Sequence, residues 1–331
     1  MNNCIKYKKY ESNFLKEIVD LWNKEIGFIF KLDYDLFDQK VNNKYLCNDA
    51  SWVVFEDGKL VGFIIGKRYD NDPDIPKYID KGWISLFYVS FDYRNKGIGN
   101  NLLEKCEEGL VKYKVNSISV GSDLENFFPG IPSDFDNLTD VFLKKRGYNV
   151  GRYTHDLIKI LSSNDILEND DSLEITLNDN KETIYFRYAT IDDKDNVLEF
   201  FKEHFFGRWY SEAKEYFNDN DIVSEYLIAL HNNKVIGFLR CNYGLIKKSS
   251  YNNTWRFNFE KLVGVGPLGI NPLYRHNGLA KHLLLKCASD AYKMGYKEAM
   301  IDWTGLMYIY QKYGYQVWKC YSYVSKDINN N

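Results

Sequence analysis

The chain has 331 residues, 45% of them hydrophobic and 27% charged, with a formal net charge of −3. That size and balance suit about two globular domains with packed cores. The small net charge argues against a broad basic face for nucleic acid, and no apolar run approaches the ~18 residues that span a membrane. The start, MNNCIKYKKYESN, lacks the apolar stretch of a signal peptide, and the six cysteines (Cys4, Cys47, Cys106, Cys241, Cys287, Cys320) and five histidines show no metal-ligand spacing. A cytoplasmic protein with reduced thiols and no metal is the expectation.

In chain order, Glu11–Gly27 carries Phe14, Leu15, Ile18, Val19, Leu21 and Trp22 at helical spacing, and a second helix is predicted near Asp33–Tyr45. Residues 51–68 read as a hairpin turning at Asp57-Gly58. WISLFYVSF (83–91) is a strand, Asn95–Lys114 a long helix, NSISVG the next strand and Asn137–Lys145 a late helix, before RGYNVGRYTHDLIKI closes the half as paired strands. The polar, acidic stretch 161–181 reads as a linker with room for one short apolar element. The same order then restarts: TIYFRYATI as a strand, Asp192–Phe206 as a helix, a hairpin over 224–243 turning at Asn232-Asn233, and a polar insertion, KKSSYNNTWRFN. A key strand near 262–270, a helix over Asn277–Met294, a strand at KEAMID, a short helix near Leu306–Lys312 and a final strand pair complete it. The expected organisation is an N-terminal domain over 1–160, the linker 161–181 and a C-terminal domain over 182–331, each of mixed-sheet α/β (α+β) class.

The restart is an internal repeat. With Arg94 set against Arg275, YRNKGIGNNLLEKC (93–106) lies over YRHNGLAKHLLLKC (274–287) without a gap. In each copy a strand runs into a glycine-bearing turn and then an apolar helix. The first amides of a helix have no partner within it, and the macrodipole favours an anion there. Gly278 removes the Cβ that would keep a diphosphate off the backbone, and Arg275 adds a charged donor. In GVGPLGIN (264–271), Pro267 cannot donate to a ladder, so a bulge is expected, with Leu268, Gly269 and Ile270 offering backbone groups to a ligand. A long ligand with a central diphosphate and an amide-bearing arm suits that pair of features; coenzyme A is one.

The hexapeptide Arg275, His276, Asn277, Gly278, Leu279, Ala280 resembles the Arg/Gln-x-x-Gly-x-Gly/Ala signature of the GNAT acyltransferase superfamily, and Arg94, Asn95, Lys96, Gly97, Ile98, Gly99 resembles it again. The resemblance implies two GNAT-like domains in tandem and acetyl-CoA as co-substrate. Residues 268–270 and 275–280 become candidates for holding it, and 94–99 a second candidate site. Among tandem members, which include the mycothiol synthases, the segments FFPGIP (127–132) and IDWTG…YQKYGY (301–315) are most similar to the clostridial glucosamine/glucosaminide N-acetyltransferases. That likeness implies acetylation of the free amine of glucosamine or of de-N-acetylated cell-wall fragments, with the chemistry in the C-terminal domain.

The two copies differ where chemistry would sit. At the offset that aligns the signatures Gly121 falls opposite Asp302, and matching LKKRGY to YQKYGY puts Leu143 opposite Tyr310. Acyl transfer to an amine needs a base for the ammonium proton and an acid for the departing thiolate. Asp302 suits the base or an anchor for the amine, or else a helix N-cap. Tyr310 suits the acid, in the Tyr-x-x-x-Gly-Phe/Tyr pattern of the superfamily, or else a core aromatic. Trp303, beside Asp302, and Arg208, Trp209 and Tyr210, between the first two helices of the C-terminal domain, are candidates to line a sugar site, or else ordinary core or surface residues. The FFPGIP loop, longer than its counterpart, either buries its own aromatics or walls a site. The leading reading is an acyl-CoA-dependent N-acyltransferase acting on a small amine, without nucleic-acid or membrane partners. Its rivals are transfer to an aminoglycoside, a polyamine or a peptide N-terminus, and a non-catalytic acyl-CoA-binding regulator.

Overall fold

The computed structural model describes residues 4–69, 73–135, 138–168, 171–177, 179–219, 224–246, 248 and 250–328. In chain order the elements are β1 (Ile5–Lys9), α1 (Leu15–Ile26), α2 (Tyr34–Val41), β2 (Trp52–Glu56), β3 (Lys59–Arg68), β4 (Lys81–Val89), α3 (Ile98–Val111), β5 (Ser117–Val120), β6 (Ile131–Pro132), α4 (Leu138–Lys144) and β7 (Asn149–Ile160). They continue as β8 (Ser172–Leu177), β9 (Asn180–Tyr188), α5 (Lys194–His204), α6 (Arg208–Asp219), β10 (Tyr226–His231), β11 (Lys234–Asn242), β12 (Leu262–Ile270), α7 (Leu279–Lys293), β13 (Glu298–Thr304), α8 (Met307–Gln311) and β14 (Gln316–Asp327). Two compact units result, one of residues 1–72, 77–155 and 318–331, the other of 73–76 and 156–317. Both are mixed α/β.

In the first unit the strand order is β1-β2-β3-β4-β5-β14, antiparallel except for the parallel pair β4–β5. Helix α1 buries Ile18, Val19, Leu21, Trp22 and Ile26, the stripe read from the sequence. Helix α3 turns Leu102, Leu103, Cys106 and Leu110 into a core shared with Val54, Ile64 and Ile84. In the second unit the order is β7-β13-β12-β11-β10-β9-β8, with β12–β13 the parallel pair. Helix α7 buries Leu283, Leu284, Cys287 and Ala291 against β10, β11 and β12. The repeated Leu-Leu and Cys of the two signatures therefore perform the same packing task twice. The hairpins turn where expected: Asp57 and Gly58 have φ of 49° and 84°, Asn232 and Asn233 of 49° and 62°, the left-handed pair that matches strand twist.

The structure departs from the sequence reading in four places. The stretch 161–181 contains β8, which pairs along its length with β9 and sends Ile175 into the second core. Ser172, Glu174 and Thr176 alternate with Leu173, Ile175 and Leu177, the period-2 pattern of an edge strand that the acidic residues around it obscured. Each half ends in one long strand, β7 or β14, rather than in a pair. Residues of β14 from Trp318 onward belong to the first unit, and β7 from Asp156 onward to the second, so the unit limits fall at neither 160 nor 181. Finally, the second helix, α6, starts at Arg208 itself, so Arg208, Trp209 and Tyr210 form its first turn rather than a link between helices, and it buries Ala213, Tyr216 and Phe217 at helical spacing.

Candidate active site

The site is built first from β12. Its parallel ladder to β13 pairs Leu262 with Glu298, Val263 with Ala299 and Gly264 with Met300, then stops, while both strands run on to Ile270 and Thr304. On the other edge, β11 pairs Leu239 with Leu268 and Cys241 with Val265. Gly266 and Pro267 thus oppose Arg240 alone, a bulge at the place the proline marked. The bulge is braced. Gly266 O accepts from Asn242 Nδ2 at 2.9 Å and Asn252 Nδ2 at 3.1 Å, and Asn253 Nδ2 donates to Asn242 O at 2.8 Å. All three asparagines are buried. Asn252 and Asn253 come from the insertion read as merely polar; two adjacent amides between Tyr251 and Trp255 were the signal.

The turn into α7 follows. His276 has φ of 68° and Gly278, the N-cap, has φ of 82° with no side-chain cap bond. A Cβ on Gly278 would meet nothing nearer than Leu173 Cδ2 at 3.9 Å. The first-turn amides, beginning at Leu279 and Ala280, are therefore left to an outside acceptor, and a diphosphate fits. Arg275 is exposed but sends Nε to Ile270 O at 3.3 Å, and Asn277 Nδ2 donates to Tyr274 O and Arg275 O. Both side chains shape the turn that joins strand to helix.

Asp302 lies inside β13, and α8 has Leu306 at its N-cap without a side-chain cap bond; the cap reading of Asp302 does not hold. Its carboxyl is pushed well above the usual range, first by burial and then by the charge of Asp156, with Arg208 pulling it down. Tyr310, half-buried on α8 and packed edge-to-face with Tyr315, is raised by burial and by the charge of Asp302, so the two sequence candidates share one neighbourhood. Asp156 Oδ1 accepts the N–H of Trp303 at 2.9 Å. Trp303, at φ 47°, faces the Arg208 guanidinium at 5.2 Å from its ring, and Tyr251 lies 4.6 Å from the same guanidinium. Arg208 Nε is held by Glu212 at 2.6 Å. Trp209 packs instead in the aromatic cluster of α5, α6 and β11, against Phe205 and Phe238. Asp156, Glu212 and Tyr251 were missed in the sequence. They come from three separate elements, and only folding brings them to Asp302.

The first unit repeats the scaffold. Its parallel ladder runs from Lys81 opposite Ser117 to Ile84 opposite Val120, the same register as in the second unit. It too is bulged, at Ser85 between the pairs Ile65–Leu86 and Gly66–Ile84, although nothing in SLFYVSF marks it. Asn95 and Gly97 have φ of 59° and 80°, Gly97 is an uncapped αL N-cap, and Arg94 Nε donates to Val89 O at 3.0 Å. What differs is position 121. Gly121 has φ of 68°, and a Cβ there would lie 2.6 Å from Phe128 O. The loop after β5 folds back over the strand end. Phe127 and Phe128 are buried, Phe128 against Phe30 at 4.9 Å and beside Trp22 and Tyr321. Lys67, fully buried, donates to Asp123 Oδ1 at 2.6 Å and to the carbonyls of Leu124 and Glu125, while Lys40 reaches Asn126 O. The FFPGIP loop buries its own aromatics.

Among the described residues no group of three or more His, Cys, Asp and Glu could hold a metal ion, and no helix is long and apolar enough to cross a membrane. A profile described as the acetyltransferase (GNAT) family matches the chain twice, over residues 15–127 and 194–315. No curated protein matches it in sequence. Among solved structures, it resembles the GCN5-related glucosamine N-acetyltransferase region of a fungal multi-domain GH3 β-N-acetylglucosaminidase, at 20% identity and a TM-score of 0.81 over 98% of this chain. This chain covers 38% of that protein's length. It also resembles a GCN5-related N-acetyltransferase of Sphaerobacter thermophilus (14%, TM-score 0.69, 98% and 95% of the two chains). A third likeness is a tandem GNAT protein from the clavulanic acid biosynthesis pathway (12%, TM-score 0.65, 98% of both). At these identities the likeness is one of fold.

Proposed function

This chain belongs to the acetyltransferase (GNAT) family, with two such domains in tandem, and from that premise we propose that its C-terminal domain transfers an acetyl group to the primary amine of an amino sugar, glucosamine or a glucosaminide of cell-wall fragments. The family uses acetyl-CoA, which supplies the activated acetyl thioester. In this reading Leu268, Gly269 and Ile270 hold its amide arm, and the turn and helix start from Arg275 to Ala280 hold its diphosphate. The uncapped, open start of α7 supports that assignment.

Asp302 takes the proton of the ammonium, either directly or through one water, and Tyr310 gives a proton to the leaving sulfur. The observation that carries the reading is the shared neighbourhood of these two groups, each raised by burial, at the end of β13 beyond the last pair with β12. A raised carboxyl is a better proton acceptor than an ordinary one, and a raised phenol stays protonated at neutral pH. An amino sugar is favoured by the surroundings of Asp302, where Arg208, Glu212, Tyr251 and Trp303 offer both hydroxyl partners and aromatic faces. The name of the fungal neighbour points the same way.

The N-terminal domain repeats the cradle at Arg94–Gly99 with Gly at the place of the base, which supports reading it as non-catalytic. A thiol-release assay with a panel of amines tests the function. Turnover of glucosamine well above that of polyamines, aminoglycosides and peptides is expected. Faster turnover of one of those removes the amino-sugar assignment, and no turnover with any amine leaves the acyl-CoA-binding regulator in its place.

A further inference from the structure

Asp156 sits on β7, distant in sequence from the signature and from every residue with an assigned role. It is 2% exposed. One of its oxygens accepts the backbone N–H of Trp303, the residue directly after Asp302, at 2.9 Å. Trp303 occupies the left-handed region at φ 47°, where a bulky side chain is held only by surrounding structure. The matching residue of the other unit, Ser122, has φ of 58° but answers with its N–H to Phe128 O. The same turn is thus held by a loop carbonyl in one unit and by a carboxylate in the other. A neutral carbonyl would have sufficed for the turn, and a buried carboxylate is the more costly choice.

We propose that Asp156 is a positioning residue for acetyl transfer: through the Trp303 amide it fixes where Asp302 points, and it sets a second carboxyl beside the base. This inference rests on reading Asp302 as the base. Proton transfer from R–NH3+ to the Asp302 carboxylate yields R–NH2, whose lone pair is then free to attack, and the neutral acid. An ordinary carboxylate is far too weak a base for that exchange to proceed easily, and a neighbouring negative charge narrows the gap. The groups around Asp302 are Asp156 from β7, Arg208 and Glu212 from α6, Tyr251 from the insertion before β12 and Tyr310 from α8. Arg208 opposes the effect but is engaged by Glu212 at 2.6 Å. Two neighbouring carboxylates, Asp156 buried and Asp302 half-buried, titrate as a pair, one above the other.

Asp156→Asn tests the idea, because the amide oxygen can still accept the Trp303 N–H while the charge is gone. With amine as the varied substrate, the acidic limb of kcat/KM is expected to move down by about one pH unit and the plateau to fall about tenfold, with KM for acetyl-CoA unchanged. Asp156→Ala, which removes the bond as well, is expected to lose more. An Asp156→Asn enzyme with the wild-type pH profile overturns the proposal. Should that variant not fold, carboxyl-labelled aspartate in the full-length wild type and in Asp302→Asn gives a second reading by NMR. Coupled titration of two carboxyls, one vanishing and the other moving down in Asp302→Asn, supports the pair; two ordinary, independent titrations refute it. If Asp302→Asn itself keeps turnover, the base assignment fails. If it abolishes turnover while Asp156→Asn titrates like wild type, only the present inference fails.

Discussion

Gly121, just after β5, and Asp302, within β13, each lie past the last pair of a parallel ladder of the same register, beside bulges at the same place, and each precedes a residue in the left-handed region. Around Gly121 the chain returns as the FFPGIP loop, whose Phe128 carbonyl fills the space a side chain would need. Around Asp302 the space is lined instead by Asp156, Arg208, Glu212 and Tyr310. One scaffold, used twice, holds the packed FFPGIP loop with its buried Lys67–Asp123 pair in one unit and a cluster of titratable groups in the other. In the second unit β12 and β13 run on past their last pair, whereas in the first β5 ends at its last pair with β4 and the loop takes over. What lies beyond the last ladder pair decides whether the opening is a core or a site.

The comparison breaks most visibly at its charged end. Asp302→Ala is expected to lower kcat by about 10²–10⁴, with unchanged denaturation, measured by thiol release; a loss below tenfold would place the base elsewhere. Next comes the plug. Lys67→Met removes the cation from buried Asp123, and a loss of about 3–5 kcal/mol is expected in the stability of the first unit by denaturant titration, with turnover intact in the folded enzyme. Tyr310→Phe is expected to cost about 10²-fold in kcat, at the low end for one acid–base group. In the wild type the phenol is raised above 10, so its protonated, donating form persists past pH 10, and the alkaline limb assigned to it should disappear in the phenylalanine variant. The mildest test compares the two cradles. Gly278→Val strains an αL position, by roughly 1–2 kcal/mol, and should raise KM for acetyl-CoA about tenfold, whereas Gly97→Val should leave KM unchanged if only the second cradle serves turnover.

Much of the scaffold was legible in the sequence. The repeat, the hairpin turns at Asp57-Gly58 and Asn232-Asn233, the amphipathic stripe of α1 and the helix starts at Gly97 and Gly278 are local features, fixed by side-chain period and by the few residues that tolerate positive φ. The bulge at Pro267 was legible for the same reason; the one at Ser85 was not, since no residue there announces it. The strand β8 was hidden by Ser172, Glu174 and Thr176 on one face and by the acidic residues around it, and the start of α6 at Arg208 by its polar surface, because burial on one face is a property of the neighbours as much as of the segment.

By itself, then, the sequence determined that two alike α/β modules follow one another, each with a strand–turn–helix able to seat an anion, and that only the second carries an aspartate and a tyrosine at the matching points. Only the tertiary structure decided that Asp302 lies within β13 rather than capping α8, that Asp156 grips the amide beside it, and that the loop after β5 closes on itself around Phe128. The physical reason is separation along the chain. Periodicity and turn chemistry act over a few residues, whereas the desolvation and like-charge repulsion that set Asp302 apart come from β7, α6 and β13, which meet only when the sheet is assembled.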